Sequence, residues 1–525
     1  MTVTEILAGC QFVALRYEGR HIECTGITAV AKQEQKVFQG RGGAIILPWC
    51  PRMASAKAAL EKRQVVDSGF SFELAVNSST QVTVRVLIAE AHGLAPLIFL
   101  AAEGFFQGVE SPYDTPDLNR DALFFGLAVK SLLSGRLSPR SWVWGADWQT
   151  VPALLLLHSV HLTAITLHNT FDCYLGPELP RFSELRFGAF RTRTALQVAL
   201  ETCDVVTTVN RGYAYGLKHE AFHARIMAEH LQFGVDRIVG IDNANFVDPS
   251  ADQLALADLL ERDLAAGVKR LNELQNAAFA AFPADLAQRA AGKVLHISMG
   301  RRSSQKLHDV VVEAVREALR HEPRLPMFIY FATTHSDGGS PARLERIKRL
   351  CDEFPEHCGW SDGRVPFFSQ LMAGGSFNVM CSLWAPHEAA FEATIVPIAR
   401  AVDGLAAQVV PLVRFGLAGD LANLWHPASA PPSGLTFRET PTARYEADLR
   451  ELLEISPAPA NETFHRMTAA LSESLRFATR LRIEQPEEYA KMVLGAIRQQ
   501  SVRSWLINFG GMLALVESAR SRRQA

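Results

Sequence analysis

Residues 296–315 read HISMGRRSSQKLHDVVVEAV. An apolar run ends at Gly300, two arginines and the Gln305-Lys306 pair follow, and apolar residues then return at helical spacing. A continuous apolar run suits a strand buried on both faces and the resumed period suits a helix, so the stretch predicts strand, turn and helix in one βα unit. The helix is expected to begin within about five residues of Gly300, turning free backbone N–H groups and the positive end of its dipole toward the turn. Arg301 and Lys306 flank that turn. A guanidinium fork beside an ammonium suits a diphosphate, although the same pattern also describes two solvated surface cations.

The alternation extends along the chain. Strand-like runs include GGAIILPW (42–49), VTVRVLIAEA (82–91), LTAITLHN (162–169), DVVTTV (204–209) and DRIVGI (236–241), then KVLHISMG (293–300), LPMFIYFA (325–332), FNVMCSL (377–383) and TIVPIARA (394–401). Helical period is expected over 119–133, 305–320, 341–352 and 487–499. The chain reads as α/β twice over, with two Rossmann-like, doubly wound, parallel-sheet domains at residues 1–265 and 291–480. An Ala/Leu-rich helical linker over 266–290 joins them, and the helices of 481–525 are expected to pack back across both. Ligands of such sheets bind at the strand carboxyl ends, so the two domains are expected to face a shared cleft.

Bulk properties exclude several classes. With 525 residues, 48% of them hydrophobic, and a formal net charge of -2, the chain has material for two cores but no field to gather nucleic acid or an anionic membrane. Its eight cysteines contain no CxxC, and Cys351 and Cys358 are spaced wrongly for a zinc clip. Reduced thiols in a cytoplasmic protein are expected. The opening MTVTEILAGCQFVAL lacks a basic start and a cleavage site, and VPALLLLHSVHLTAITL is interrupted by His158 and His161, so neither secretion nor membrane insertion is expected.

Polar residues at strand ends are the candidates for chemistry. Asp147 and Trp148 in GADWQTVPALLLL follow one strand, and His168 and Asn169 in AITLHNT follow the next. Each could equally be a helix cap or a bonded core group. HEAFH (219–223) matches the HExxH zinc pattern, but Ile226 and Glu229 stand where its longer form needs Gly and His, so zinc hydrolysis is not expected. SLWAPHEAAFEATIVPIARAVDGL (382–405) carries Glu388 and Glu392, which suit sugar hydroxyls or simply a wet helix face.

Together these segments resemble the bacterial glycogen and starch synthases, retaining glycosyltransferases of the two-Rossmann-domain B-type (GT-B) fold. From about residue 40 onward, LNRDALFFGLAVKSLL, ADWQTVPALLL, ITLHN, CDVVTTVNRGYA, GIDNANFVDPSADQ, SMGRRSSQK and RSWLINFGGMLALV are each similar to a family segment and stand in family order. The resemblance implies that Arg301 and Lys306, with Gly300 at the turn, hold the donor diphosphate. It also implies that Asp147 and His168 line the donor sugar at the reacting carbon. Asn169, Tyr213 and Asn243 would support the pocket, with Glu388 and Glu392 serving the donor. The partners implied are a nucleotide-sugar donor and a saccharide acceptor, with no metal or other cofactor. The chain also departs from the family. Glu23 and Thr25 stand where a lysine and a glycine are expected, Ala146 and Gln149 replace two histidines, and Ala385 replaces the first motif glutamate. A non-catalytic, nucleotide-sugar-binding relative is therefore the alternative expectation.

Overall fold

A computed structural model of the protein describes residues 2–24, 26–169, 171–182, 187–209, 213–214, 217–218, 234–241, 243, 251–300, 302, 306–333, 341–382, 396–402, 434–452, 460–501 and 505–524. It divides into two compact units, Met1–Asn243 with Trp505–Ala525, and Ala244–Ser504.

The first unit is built on β1 (Phe12–Leu15), β2 (Gly43–Pro48), β3 (Val66–Ala75), β4 (Gln81–Ala89), β5 (Leu97–Ala102), β6 (Trp142–Ala146), β7 (Leu162–Leu167), β8 (Val205–Thr208) and β9 (Ile238–Gly240). Among the described residues they form one sheet in the order β3-β4-β5-β2-β1-β6-β7-β8-β9. From β5 to β9 the neighbours run parallel, and β1, β2, β6, β7 and β8 are buried throughout, which is why they read as unbroken apolar runs. The expected all-parallel sheet is corrected at one edge, where β3 and β4 form an antiparallel hairpin and β4 runs antiparallel to β5. In the connecting turn Asn77 Oδ1 accepts hydrogen bonds from the N–H groups of Ser79 and Thr80, and VTVRV alternates buried Val84 and Val86 with exposed Thr83 and Arg85.

The second unit has β10 (Val294–Met299), β11 (Met327–Thr333), β12 (Cys358–Arg364), β13 (Phe377–Met380), β14 (Val396–Val402) and β15 (Leu435–Glu439). They lie in the order β12-β11-β10-β13-β14-β15 with every pairing parallel. This is the strand order of a dinucleotide-binding sheet. The segment read as a linker over 266–290 packs as a helical layer of this unit: Phe279, Phe282 and Leu286 join Leu295, Phe328 and Tyr330 in one core, with Phe282 stacked 5.1 Å from Tyr330. The final helix, Trp505–Gln524, belongs to the first unit. It seats Phe509 against Phe12 and Phe38 at 5.3 and 5.4 Å, and Arg523 forks onto Asp204 at 2.6 and 2.8 Å.

One buried group makes the second unit acid-sensitive. His296 on β10 is fully buried, stacks on Phe377 at 5.1 Å and places Nε2 2.9 Å from Thr479 Oγ1. That hydroxyl donates to Leu475 O, so it accepts from Nε2–H and leaves Nδ1 without a hydrogen-bond partner among the described residues. Burial lowers the imidazole from 6.5 to about 3. Below pH 6.5 the unfolded chain therefore takes up a proton that the folded chain refuses. Stability is full above the unfolded value and falls with pH by about 1.4 kcal/mol per unit toward the folded one. Unfolding midpoints between neutral and acid pH are expected to drop more steeply for the wild type than for His296→Gln; parallel slopes would remove His296 as the cause.

Candidate functional site

Open α/β sheets bind ligands outside the strand carboxyl ends, where the strand order reverses. In the first unit the order reverses between β1 and β6, and Glu18, Asp147 and His168 lie just beyond β1, β6 and β7. In the second it reverses between β10 and β13, and Gly300 follows β10.

Asp147 occupies φ 56° and ψ 175°, a backbone region that is nearly glycine-only and persists only where its surroundings hold it. Its N–H donates to Thr166 O at 3.1 Å, and its Oδ1 accepts from the His168 N–H at 2.8 Å. Its Oδ2 lies 3.5 Å from His168 Nδ1, within ion-pair range, yet that ring nitrogen has no hydrogen-bond partner among the described residues; both side chains are more than nine-tenths buried. Gln149 Oε1 and Asn243 Nδ2 are likewise buried without a hydrogen-bond partner among the described residues. Leaving such atoms unpaired is costly, and three of them beside strand carboxyl ends are what a polar ligand would satisfy. Asn243 is anchored by its own N–H to Val209 O at 2.7 Å. Tyr213 is buried in the core of this unit, and Asn169 spends its amide oxygen locally, accepting from the Phe171 N–H at 2.8 Å.

Two residues absent from the sequence-based set join this cluster. Glu18 is fully buried, with Tyr113 Oη donating to its Oε1 at 2.8 Å and Thr28 Oγ1 to its Oε2 at 2.6 Å. Burial first, then the charges of Glu18 and Asp147, push the Tyr113 phenol well above its usual range, so it stays a donor. Its only advance signal was the turn-like SPYD, where Ser111 Oγ accepts from the Tyr113 N–H. Glu23, at the position of the expected lysine, pairs with Lys32 at 2.7 Å.

In the second unit Gly300 has φ 143°, which residues with a Cβ rarely adopt, and its N–H donates to Ala332 O at 3.2 Å. The Lys306 stem lies across it, its Cδ and Cε each 3.7 Å from where a Cβ would stand. The helix begins at His308, later than the spacing predicts, because Leu307 is left-handed (φ 48°, ψ 40°). Asp309 in its first turn is gripped by Arg343 at 3.3 Å and Arg346 at 2.9 Å, yet burial outweighs both arginines and raises its carboxyl above the usual range. A narrow pocket beside Gly300 is lined by Ser298, Arg302, His308, Trp360 and Ser361. The structure thus joins Asp147 to His168 and Gly300 to Lys306. Arg301, Glu388, Glu392 and the HEAFH segment lie outside the described residues.

With this geometry in place, residues 26–232 match the family model of the starch synthase catalytic domain. Over that stretch, less than half of its length, the chain is similar to a starch synthase catalytic domain. The match covers the strand ends that carry Asp147 and His168 and stops ahead of the second unit. No curated protein matches the sequence significantly. Among solved structures, the catalytic domain of starch synthase IV from Arabidopsis thaliana bound to ADP and acarbose is similar over 98% of this chain and 100% of its own, at 16% identity and a TM-score of 0.69. The trehalose-6-phosphate phosphatase N-terminal domain of Candida albicans covers 97% of each chain at 11% identity and a TM-score of 0.54. A UDP-forming α,α-trehalose-phosphate synthase from Burkholderia xenovorans, in complex with glucose-6-phosphate, covers 96% of this chain and 99% of its own at 12% identity and a TM-score of 0.51. These likenesses show the fold, that of the two-Rossmann-domain GT-B proteins. No helix among the described residues is long and apolar enough to cross a membrane.

Proposed function

We propose that this protein moves a hexosyl unit, most simply glucosyl from ADP- or UDP-glucose, onto a glucan or other saccharide end with retention at the anomeric carbon. In that reaction the bond from the anomeric carbon to the diphosphate oxygen breaks and a bond to an acceptor hydroxyl oxygen forms. The acceptor proton leaves with the nucleoside diphosphate. Lys306 and Arg301 would neutralise the charge that develops on the departing phosphate, so no metal is required of the proposal. Asp147 and His168 would stand against the sugar, and the Tyr113 oxygen, its proton given to Glu18, would accept from a sugar hydroxyl.

The observation that carries this reading is the buried Asp147–His168 contact, with unpaired buried atoms at His168, Gln149 and Asn243 beyond the carboxyl ends of the same sheet. The test is calorimetric titration with ADP, UDP, ADP-glucose and UDP-glucose, followed by nucleotide release with a maltooligosaccharide acceptor. Acceptor-dependent release supports the transferase. Binding without release supports the nucleotide-sugar-binding relative, a reading favoured by Glu23, which is ion-paired to Lys32 where the family pattern has lysine. His168→Ala is expected to cripple transfer while nucleotide affinity is kept; loss of both together would mark a structural histidine.

A further inference from the structure

Five non-glycine residues have positive φ among the described residues, and two of them, Asp147 and Leu307, stand at the candidate positions. Asp147 is held by the bonds described above. Leu307 has no such bonds, since a leucine side chain cannot hydrogen-bond the local backbone as Asn or Asp does in this conformation. Its side chain is instead buried, only 2% exposed, and burial is the compensation open to it. Its carbonyl accepts from the N–H groups of Val310 at 3.0 Å and Val311 at 3.3 Å, so it starts the helix. The residue before it is Lys306, whose stem crosses Gly300. One pair of dihedral angles therefore sets both where the helix begins and where the lysine points.

We propose that Leu307 is a positioning residue, its buried side chain holding the left-handed turn that lays Lys306 over Gly300 and presets the ammonium for a nucleoside diphosphate. The proposal rests on the reading of Lys306 as a diphosphate ligand. A right-handed residue 307 would carry Lys306 off Gly300.

The experiment compares ADP and UDP affinity, and melting without nucleotide, for the wild type, Leu307→Ala, Leu307→Gly and Lys306→Ala. Alanine removes the anchor but keeps the Cβ penalty, so affinity is expected to fall at least about fivefold. Glycine takes the left-handed turn without strain and is expected to bind more tightly than alanine. A leucine that merely fills space predicts the reverse or no difference, because glycine leaves the larger cavity and the more flexible unfolded chain. Leu307→Ala at wild-type affinity, or Leu307→Gly no better than alanine, would overturn the proposal. If the alanine variant fails to fold, glycine decides: affinity near the wild type supports the positioning role, and affinity equal to Lys306→Ala removes it. If Lys306→Ala binds like the wild type, or the wild type binds neither nucleotide, the reading of Lys306 fails first and the proposal falls with it.

Discussion

Lys306→Ala is expected to lower glycosyl transfer about 100- to 1,000-fold, the scale on which one preorganised donor to a developing oxyanion is lost. Lys306 is half-buried, its stem packs on the backbone of Gly300, and it follows a strand at the reversal point of its sheet. On the proposed reading a charge in that position would act on a leaving diphosphate with little reorganisation, whereas a loose surface lysine would be screened. Melting of the variant is expected to stay near the wild type, which separates loss of chemistry from loss of fold. Arg301→Ala is expected to behave alike. Normal turnover in the lysine variant would return Lys306 to the status of a surface charge.

Glu34→Ala is expected to cost about 3–5 kcal/mol of stability, because it strands a buried guanidinium. Arg16 is fully buried just past β1, forks onto Glu34 with two contacts of 2.7 Å, donates to Leu15 O and Trp144 O, and lies 4.6 Å from the Trp144 ring centroid. Replacing both partners, Arg16→Met with Glu34→Leu, is expected to be near neutral or stabilising, since the desolvation cost disappears with the charges. Denaturant midpoints of the two variants check this. A Glu34→Ala protein as stable as the wild type would mean that water or another carboxylate reaches Arg16.

The second sheet was largely legible because its strands are short, apolar on both faces and separated by helices of clear period. KVLHISMG, LPMFIYFA, FNVMCSL and TIVPIARA each overlap an observed strand. The hairpin of β3 and β4 was half legible: the alternation in VTVRV was visible, but pairing direction is decided by the turn and the partner strand rather than by period. β1, β3, β5, β12 and β15 were not read as strands. β1 has only four residues, and β12, CGWSDGR, carries two glycines and two charged residues that suppress any strand signal.

At the candidate site, the polar residues at strand ends were legible because βα punctuation exposes them: Asp147 after WVWGA, His168 after LTAITL, Gly300 after VLHISM. Glu18 and Tyr113 were not, because 95 residues separate the partners and a buried carboxylate looks like any surface glutamate until its environment is known.

The sequence by itself determined the α/β class, the two-sheet division and the strand ends where chemistry can sit, since these follow from apolar period and from Gly, Asp and His at the breaks. Only the tertiary structure decided that Arg16 and Glu18 are buried and paired, and that Asp147 and Leu307 take left-handed or glycine-like backbone. Those features depend on contacts between distant segments: desolvation sets the state of the charges, and surrounding packing and hydrogen bonds hold conformations that the local chain disfavours.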